Sequence, residues 1–223
     1  MVSTMSRGSD PAWQGWWYCL TPQLCLSDRP QPGHERAGVQ VLTLESGGAF
    51  PLGHPTTRLS LDLLTPALQR RPVARLLEIG CGSGVLCIAA AALGVPMIVG
   101  LDLAAAAVRA TRRNAARQAF AKVIQVVQGS SDCLRGSFDL VVANLPIDVQ
   151  HDQVAAYQRL ASPEGRLLLS GFREPEEADL LAQLRPSGWE LVDRRVKYFC
   201  HPEMPPTLNF NWVAWLLARH GCN

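Results

Sequence analysis

Charged residues are scarce in this chain: they make up 18% of its 223 residues, and the formal net charge is only +2. So mild a charge does not predict binding to nucleic acid or to a membrane surface, and neither partner is expected. The arginines within residues 109–117 are therefore interpreted as the solvated face of a helix. Hydrophobic residues, at 48%, are sufficient for a buried core.

Long apolar runs are also missing. The longest, residues 85–95, contains Gly94 and is too short to cross a bilayer, and the first ten residues do not resemble a signal peptide. The seven cysteines include no C-x-x-C pair, so we expect reduced thiols, no disulfide framework and no metal site. These absences together predict a soluble, cytoplasmic protein, and they leave its oligomeric state open.

The order of apolar segments predicts a doubly wound α/β fold with a mainly parallel, seven-stranded Rossmann-like sheet. Helices of ten or more residues alternate with strands from residue 56 onward, which is typical of βαβ crossovers. The last two strands, 189–197 and 211–217, have no helix between them and predict an antiparallel C-terminal edge. We expect a flexible N-terminus at 1–15, a short β extension at 16–50 and the main domain at 51–223.

The most informative motif is the glycine loop Glu-Ile-Gly-Cys-Gly-Ser-Gly, residues 78–84, between a predicted strand and a predicted helix. Its glycines allow a sharp turn and a close approach to a ligand. The third glycine falls one place too early for a dinucleotide-binding G-x-G-x-x-G motif. An acid two places before the first glycine is instead the pattern of class I methyltransferases. The sequence therefore predicts an S-adenosyl-L-methionine site with contacts at Glu78, Gly80, Cys81, Gly82 and Gly84.

Three further segments follow strands whose ends should meet at the same edge of the sheet. Asp102 ends the next strand, where a carboxylate can accept both ribose hydroxyls or cap the following helix, and Leu103 follows it. In the loop after the third strand, Ser130 and Asp132 are candidate adenine contacts, with ordinary turn chemistry as the alternative. Asn144, at the end of the fourth strand, is a candidate for positioning the reacting group.

Residues 53–57, Gly-His-Pro-Thr-Thr, complete a set of motifs that closely resembles the PrmA family of ribosomal protein methyltransferases. The other members of the set are residues 78–90 and Val-Val-Ala-Asn at 141–144. The resemblance implies a class I methyltransferase that modifies lysines or the amino terminus of a ribosomal protein. It also implies cofactor contacts at Thr57, Gly80, Asp102 and Asn144.

The sequence departs from the family at two positions and in one larger feature. Residues 50–53 are one residue shorter than the family motif, and Leu-Pro follows Asn144 in place of Ile-Leu.

A comparison with other methyltransferases concerns Ile147. It stands where enzymes that methylate planar nitrogens carry an aromatic residue, which disfavours bases and glutamine amides as targets. The family also has a separate N-terminal substrate-recognition domain, and we expect this chain to lack one.

The reaction itself asks little covalent chemistry of the protein, so we expect no dedicated catalytic base. His54 and Asp148 are the candidates if one exists, although His54 also fits a packing role at the start of a helix. Three functions stay open: a protein methyltransferase, a small-molecule methyltransferase and a non-enzymatic scaffold that retains the cofactor fold. A proline-rich segment, residues 201–206, is a candidate specificity element.

Overall fold

The structure is a computed structural model that describes residues 15–30, 38–199 and 210–219. The predictions for residues 1–14 and for the segment 201–206 lie outside these ranges. The strands are β1 (Trp17–Thr21), β2 (Leu24–Ser27), β3 (Gln40–Thr43), β4 (Arg75–Ile79), β5 (Met97–Asp102), β6 (Ile124–Gln128), β7 (Phe138–Asn144), β8 (Ala161–Arg173), β9 (Trp189–Phe199) and β10 (Phe210–Arg219). The α-helices are α1 (Pro55–Arg70), α2 (Val85–Ala92), α3 (Ala105–Ala116), α4 (Ile147–Leu160) and α5 (Glu177–Leu184).

The main sheet has seven strands in the order β6-β5-β4-β7-β8-β10-β9. The first five are parallel, and β10 pairs antiparallel with both β8 and β9. This arrangement confirms the predicted fold class, including the antiparallel C-terminal edge. The strand order reverses between β4 and β7, so their carboxyl ends flank the crevice in which open α/β sheets bind ligands.

The core lies on both faces of the sheet, because its central strands are apolar at consecutive positions. Leu76 of β4 packs into a cluster with residues of α1 and α2, whereas the next residue, Leu77, packs into a cluster with residues of α4 and α5. Side chains alternate between the two faces of a strand, so a continuous apolar run supplies both cores at once.

The N-terminal strands form a separate three-stranded sheet in which β1 and β2 are antiparallel and β2 and β3 are parallel. Its apolar side chains are buried in the same cluster as those of α1 and α2, among them Leu20, Leu26 and Leu42. The extension therefore packs against the main sheet's helical layer.

The expectation that all cysteines are free thiols is wrong for one pair. Cys19 and Cys25 face each other in the register of β1 and β2, with their Cα atoms 3.9 Å apart, and their sulfurs are bonded. The register of the hairpin brings the two cysteines together, and their sequence spacing gives no C-x-x-C signal from which the bond could be predicted. Cys81, Cys87 and Cys133 are free.

Several element ends differ from the sequence prediction. Helix α3 ends at Ala116, four residues before the predicted end, and a 3-10 turn at Ala121–Val123 leads into β6. Helix α5 begins at Glu177 because Glu174–Glu176, with a proline at its centre, forms a 3-10 turn first. The four arginines of the α3 segment are exposed, as predicted. None of the helices in the described ranges has the length and apolar character needed to cross a membrane.

Candidate cofactor site

A cavity of about 570 Å³ opens at the carboxyl ends of the parallel strands. Its walls include Gly80 and Gly82 after β4, Asp102 at the end of β5 and Asn144 at the end of β7. A smaller hollow lies beside it and shares Gly80, Gly82 and Asn144 with it as wall residues. Thr57 and Glu78 line this smaller hollow.

The glycine loop has positive φ angles at Gly80, Gly82 and Gly84, of 76°, 55° and 80°. L residues rarely adopt this left-handed conformation, so the loop requires glycine. A Cβ atom on Gly80 would lie 2.4 Å from Leu145 Cδ2, whereas a Cβ atom on Gly82 would meet nothing closer than Phe50 Cβ at 3.9 Å. Gly80 thus permits tight packing against the β7–α4 turn, and Gly82 leaves open space at the cavity wall.

Backbone and side-chain hydrogen bonds hold the loop in this shape. The amides of Gly80 and Cys81 both donate to the carbonyl of Leu101, at 2.8 and 2.9 Å. Thr111 of α3 donates its hydroxyl to the carbonyl of Gly82 at 2.9 Å. These bonds fix the loop from β5 and from α3.

Asp102 caps the following helix, which is one of the two roles that the sequence left open, and it also bonds to the glycine loop. Its Oδ2 accepts from the amide of Gly82 and its Oδ1 from the amide of Ala104, each at 2.9 Å. Ala104 is the residue that caps α3, so the carboxylate joins the glycine loop to the start of that helix. A carboxylate has about four acceptor positions. Each oxygen of Asp102 therefore keeps a position for a hydroxyl in the cavity.

Glu78 is buried, with 2% of its surface exposed, and its Oε2 accepts from the amide of Cys87 in the first turn of α2 at 2.9 Å. Burial raises the pKa of this carboxyl to about 8, because an ionised carboxylate loses its hydration there. The bond from Cys87 lowers the pKa by a smaller amount, and the nearby charge of Asp102 raises it. Glu78 thus connects the start of the glycine loop to the first turn of α2, and it also lines the smaller hollow.

His54 caps helix α1. Its Nδ1 accepts from the amide of Thr56 at 3.3 Å and lies 2.8 Å from the Thr56 hydroxyl. Its ring packs against Phe50 and Trp212, with centroids 4.6 and 5.1 Å away. Burial lowers the pKa of His54, so the ring is neutral at pH 7. His54 lines the main cavity, but its bond to Thr56 and its ring contacts with Phe50 and Trp212 favour the packing role.

The remaining predicted site residues fall at different distances from this space. Leu103 lines the cavity and is 72% exposed, and Ser130 lines it from the β6 loop. The side chain of Cys81, within the glycine loop, is buried and lines the smaller hollow but not the main cavity. Asp132 is absent from the cavity's described walls: it is exposed, and its Oδ2 lies 3.4 Å from the Ser130 hydroxyl. Asp148 is exposed in the first turn of α4.

Sequence reasoning missed Trp212, Ser170 and Gly171. Trp212 and Gly171 line the main cavity, and Ser170 pairs with Asn144 in the parallel register of β7 and β8. A Cβ atom on Gly171 would lie 2.2 Å from the carbonyl oxygen of Leu145. A Ser-Gly pair at the end of a predicted apolar strand was the available signal for this close approach.

The sheet order and the glycine loop at the end of β4 define a class I methyltransferase fold. A family model described as "Ribosomal protein L11 methyltransferase (PrmA)" matches residues 24–198. The chain therefore belongs to this family.

Individual relatives agree with the family match. A ribosomal protein L11 methyltransferase of Ralstonia nicotianae is 41% identical over 70% of this chain and 49% of its own length. One of Synechococcus sp. is 36% identical over 71% and 54%. The chain thus spans about half the length of the curated relatives it matches. A crystal structure of ribosomal protein L11 methylase from Lactobacillus delbrueckii subsp. bulgaricus has a similar fold, with a TM-score of 0.70, 21% identity and coverage of 91% of this chain and 98% of that chain.

Proposed function

We propose that this chain is an S-adenosyl-L-methionine-dependent methyltransferase that modifies amino groups of a protein, and that its substrate is a ribosomal protein of the L11 kind. The observation that carries the proposal is a single continuous cavity whose walls include the bare loop at Gly82, the carboxylate of Asp102 and the end of β7 at Asn144. Membership of the PrmA family supports the substrate class. A ribosomal substrate would place the activity in the cytoplasm.

The residues that line the cavity suit the ribose, the base and the amino-acid end of the cofactor. The free acceptor positions of Asp102 suit a ribose diol. Leu103 supplies an exposed apolar surface for a flat base. Glu78 and Thr57 would hold the amino-acid end in the smaller hollow, where a nearby cation would favour the ionised form of Glu78. The bare backbone at Gly82 leaves room for the cofactor at the wall.

When bound, the cofactor would supply an electrophilic methyl group for the acceptor nitrogen. The protein's task is to orient the acceptor and to exclude water, an effect that can remove about 7–11 kcal/mol of barrier. We assign orientation of the acceptor to Asn144. A lysine acceptor must lose a proton, against a pKa of about 10.4 in water, and an apolar cavity favours that loss. His54 is not assigned as a base, because its Nδ1 accepts from Thr56 and the proton of the neutral ring is then on Nε2.

For the division of the chain into parts, we keep the limits expected from the sequence. We propose that residues 51–223 form the cofactor-binding unit and that residues 16–50 form an extension that buttresses it. The burial of Leu26 and Leu42 against α1 and α2 supports a buttressing role.

The test is methyl transfer from tritium-labelled cofactor to purified ribosomal protein L11, with a bacterial cell extract assayed in parallel. Label in L11, with mass spectrometry that locates it on lysines or on the amino terminus, is the expected result. Label confined to the small-molecule fraction would contradict a protein acceptor, and no label in either assay would contradict the enzymatic function. Asn144→Ala should lower turnover more than cofactor affinity, whereas equal losses would contradict its assignment.

A further inference from the structure

Gln153 of α4 carries a buried amide oxygen that the assigned site does not explain. Its side chain lines the main cavity, and its Oε1 has no hydrogen-bond partner in the described part of the chain. An acceptor that is buried without a donor lowers the stability of the folded protein. Buried polar groups in folded proteins are nearly always paired, so an unpaired oxygen on a cavity wall indicates a ligand that supplies the donor.

Trp212 is a second wall residue with an unpaired buried atom, but its polarity is opposite. Its Nε1 has no partner within the described ranges, and an indole N–H can only donate. Trp212 stands on β10, beyond β8 in the sheet, and its ring packs beside His54. Of the two residues, Gln153 is therefore the one that offers an acceptor, and it lies away from the aromatic group around His54.

Gln153 belongs to the end of the cavity that suits the base of the cofactor. Arg159, also on α4, donates to the carbonyl of Ser131 at 2.9 Å. This bond holds α4 against the loop that follows β6, and residues 129–131 of that loop line the cavity. Leu103, the exposed apolar residue at the end of β5, lines it as well. A flat base that lies on Leu103 therefore has its edge toward the wall formed by this loop and by α4.

The amide of Gln153 has the chemistry that the edge of an adenine base requires. Val149 and Gln153 are one helical turn apart and both line the cavity, so this face of α4 is turned toward the ligand. The terminal bond of a glutamine side chain rotates at little cost, which lets the amide turn without moving the helix. Adenine presents an amino donor beside a ring-nitrogen acceptor, and a glutamine amide presents an acceptor beside a donor.

We propose that Gln153 recognises the adenine base of the cofactor, with its Oε1 accepting a hydrogen bond from the 6-amino group. The assignment rests on the proposed function, since it requires the cofactor in this cavity. It gives Gln153 the task for which the sequence suggested Ser130 or Asp132. The hydroxyl of Ser130 donates to Asp132 at 3.4 Å, and Asp132 is exposed outside the cavity's described walls. Binding thus pairs the oxygen that folding leaves without a donor, and a base without the amino group binds less tightly.

Calorimetry of the full chain tests this assignment without any methyl transfer. The two ligands are S-adenosyl-L-homocysteine and its analogue in which hydrogen replaces the 6-amino group. Wild type should prefer the amino ligand by about tenfold, because only that ligand supplies the donor. Gln153→Met keeps the length of the side chain but has no amide, so its preference should fall below about threefold while it still binds the analogue as wild type does. Gln153→Glu retains an acceptor and should retain the preference.

Gln158→Met is the matched control, because Gln158 is on the same helix but outside the cavity's described walls. It should keep the wild-type preference for the amino ligand. A preference that survives in Gln153→Met, that is missing from wild type, or that falls equally in Gln158→Met would refute the role of Gln153 and leave the cofactor site standing. Failure of wild type to bind S-adenosyl-L-homocysteine at all would overturn the proposed cofactor site and this assignment together.

Discussion

The buried carboxyl of Glu78 offers a quantitative test of the site. Its pKa is raised from 4.5 to about 8 in the folded chain, chiefly by burial. Between these values the folded protein holds a proton that the unfolded chain has released. Stability therefore falls as pH rises through this window, by up to about 1.4 kcal/mol per pH unit. The Glu78→Gln variant has no proton to release, and its amide oxygen can still accept from the amide of Cys87.

The predicted difference in stability between the two proteins grows with pH up to the folded pKa of about 8. From pH 5 to pH 7 the Glu78 carboxyl is mostly ionised in the unfolded chain and mostly protonated in the folded chain, so wild type should lose about 2–3 kcal/mol relative to Glu78→Gln. The two proteins should be similar in stability near pH 5, with Glu78→Gln the more stable at pH 7. Burial lowers the pKa of His54, which gives a slope of opposite sign, but that contribution is common to both proteins and cancels.

Urea denaturation at pH 5, 6 and 7 measures the difference through the free energy of unfolding. Glu78→Ala is the matched comparison: it also removes the titrating group, but it leaves the amide of Cys87 without its acceptor. It should therefore share the pH dependence of Glu78→Gln and be less stable by about 1–3 kcal/mol at every pH. Parallel pH profiles for wild type and Glu78→Gln would show that the Glu78 carboxyl titrates as an ordinary carboxyl, and the linkage argument would fail.

Three further variants probe the cavity. Gly82→Val should abolish cofactor binding in calorimetry, because the new side chain would occupy open space at the cavity wall. Gly188→Ala is the control: it also lies at positive φ in open space and should lower only the stability. Retained binding in Gly82→Val would contradict the loop assignment. Asp102→Asn should weaken cofactor binding about tenfold to a hundredfold through loss of a charged acceptor, and unchanged affinity would remove Asp102 from the site. His54→Ala should leave cofactor affinity unchanged and lower kcat less than about tenfold. A loss of a hundredfold or more would establish a catalytic base after all.

Local signals account for most of what the sequence predicted correctly. The alternation of apolar strands and helices gives the doubly wound sheet, because each element's periodicity is written in consecutive residues. The glycine loop and Asp102 are equally local: positive φ needs glycine where the chain turns, and the strand after the loop ends beside it. The sequence alone therefore places the three segments that form the cavity at one edge of the sheet.

The tertiary structure decided the contacts between residues that are distant along the chain. Ser60 and Ser170 are 110 positions apart and meet only because α1 packs on the face of β8. The bond between Cys19 and Cys25 depends on the register of one hairpin, and the place of Trp212 beside His54 depends on how β10 is inserted into the sheet. A side chain's periodicity tells which face it occupies, but its partner on that face is fixed by register and packing, which act through space and leave no pattern in neighbouring residues.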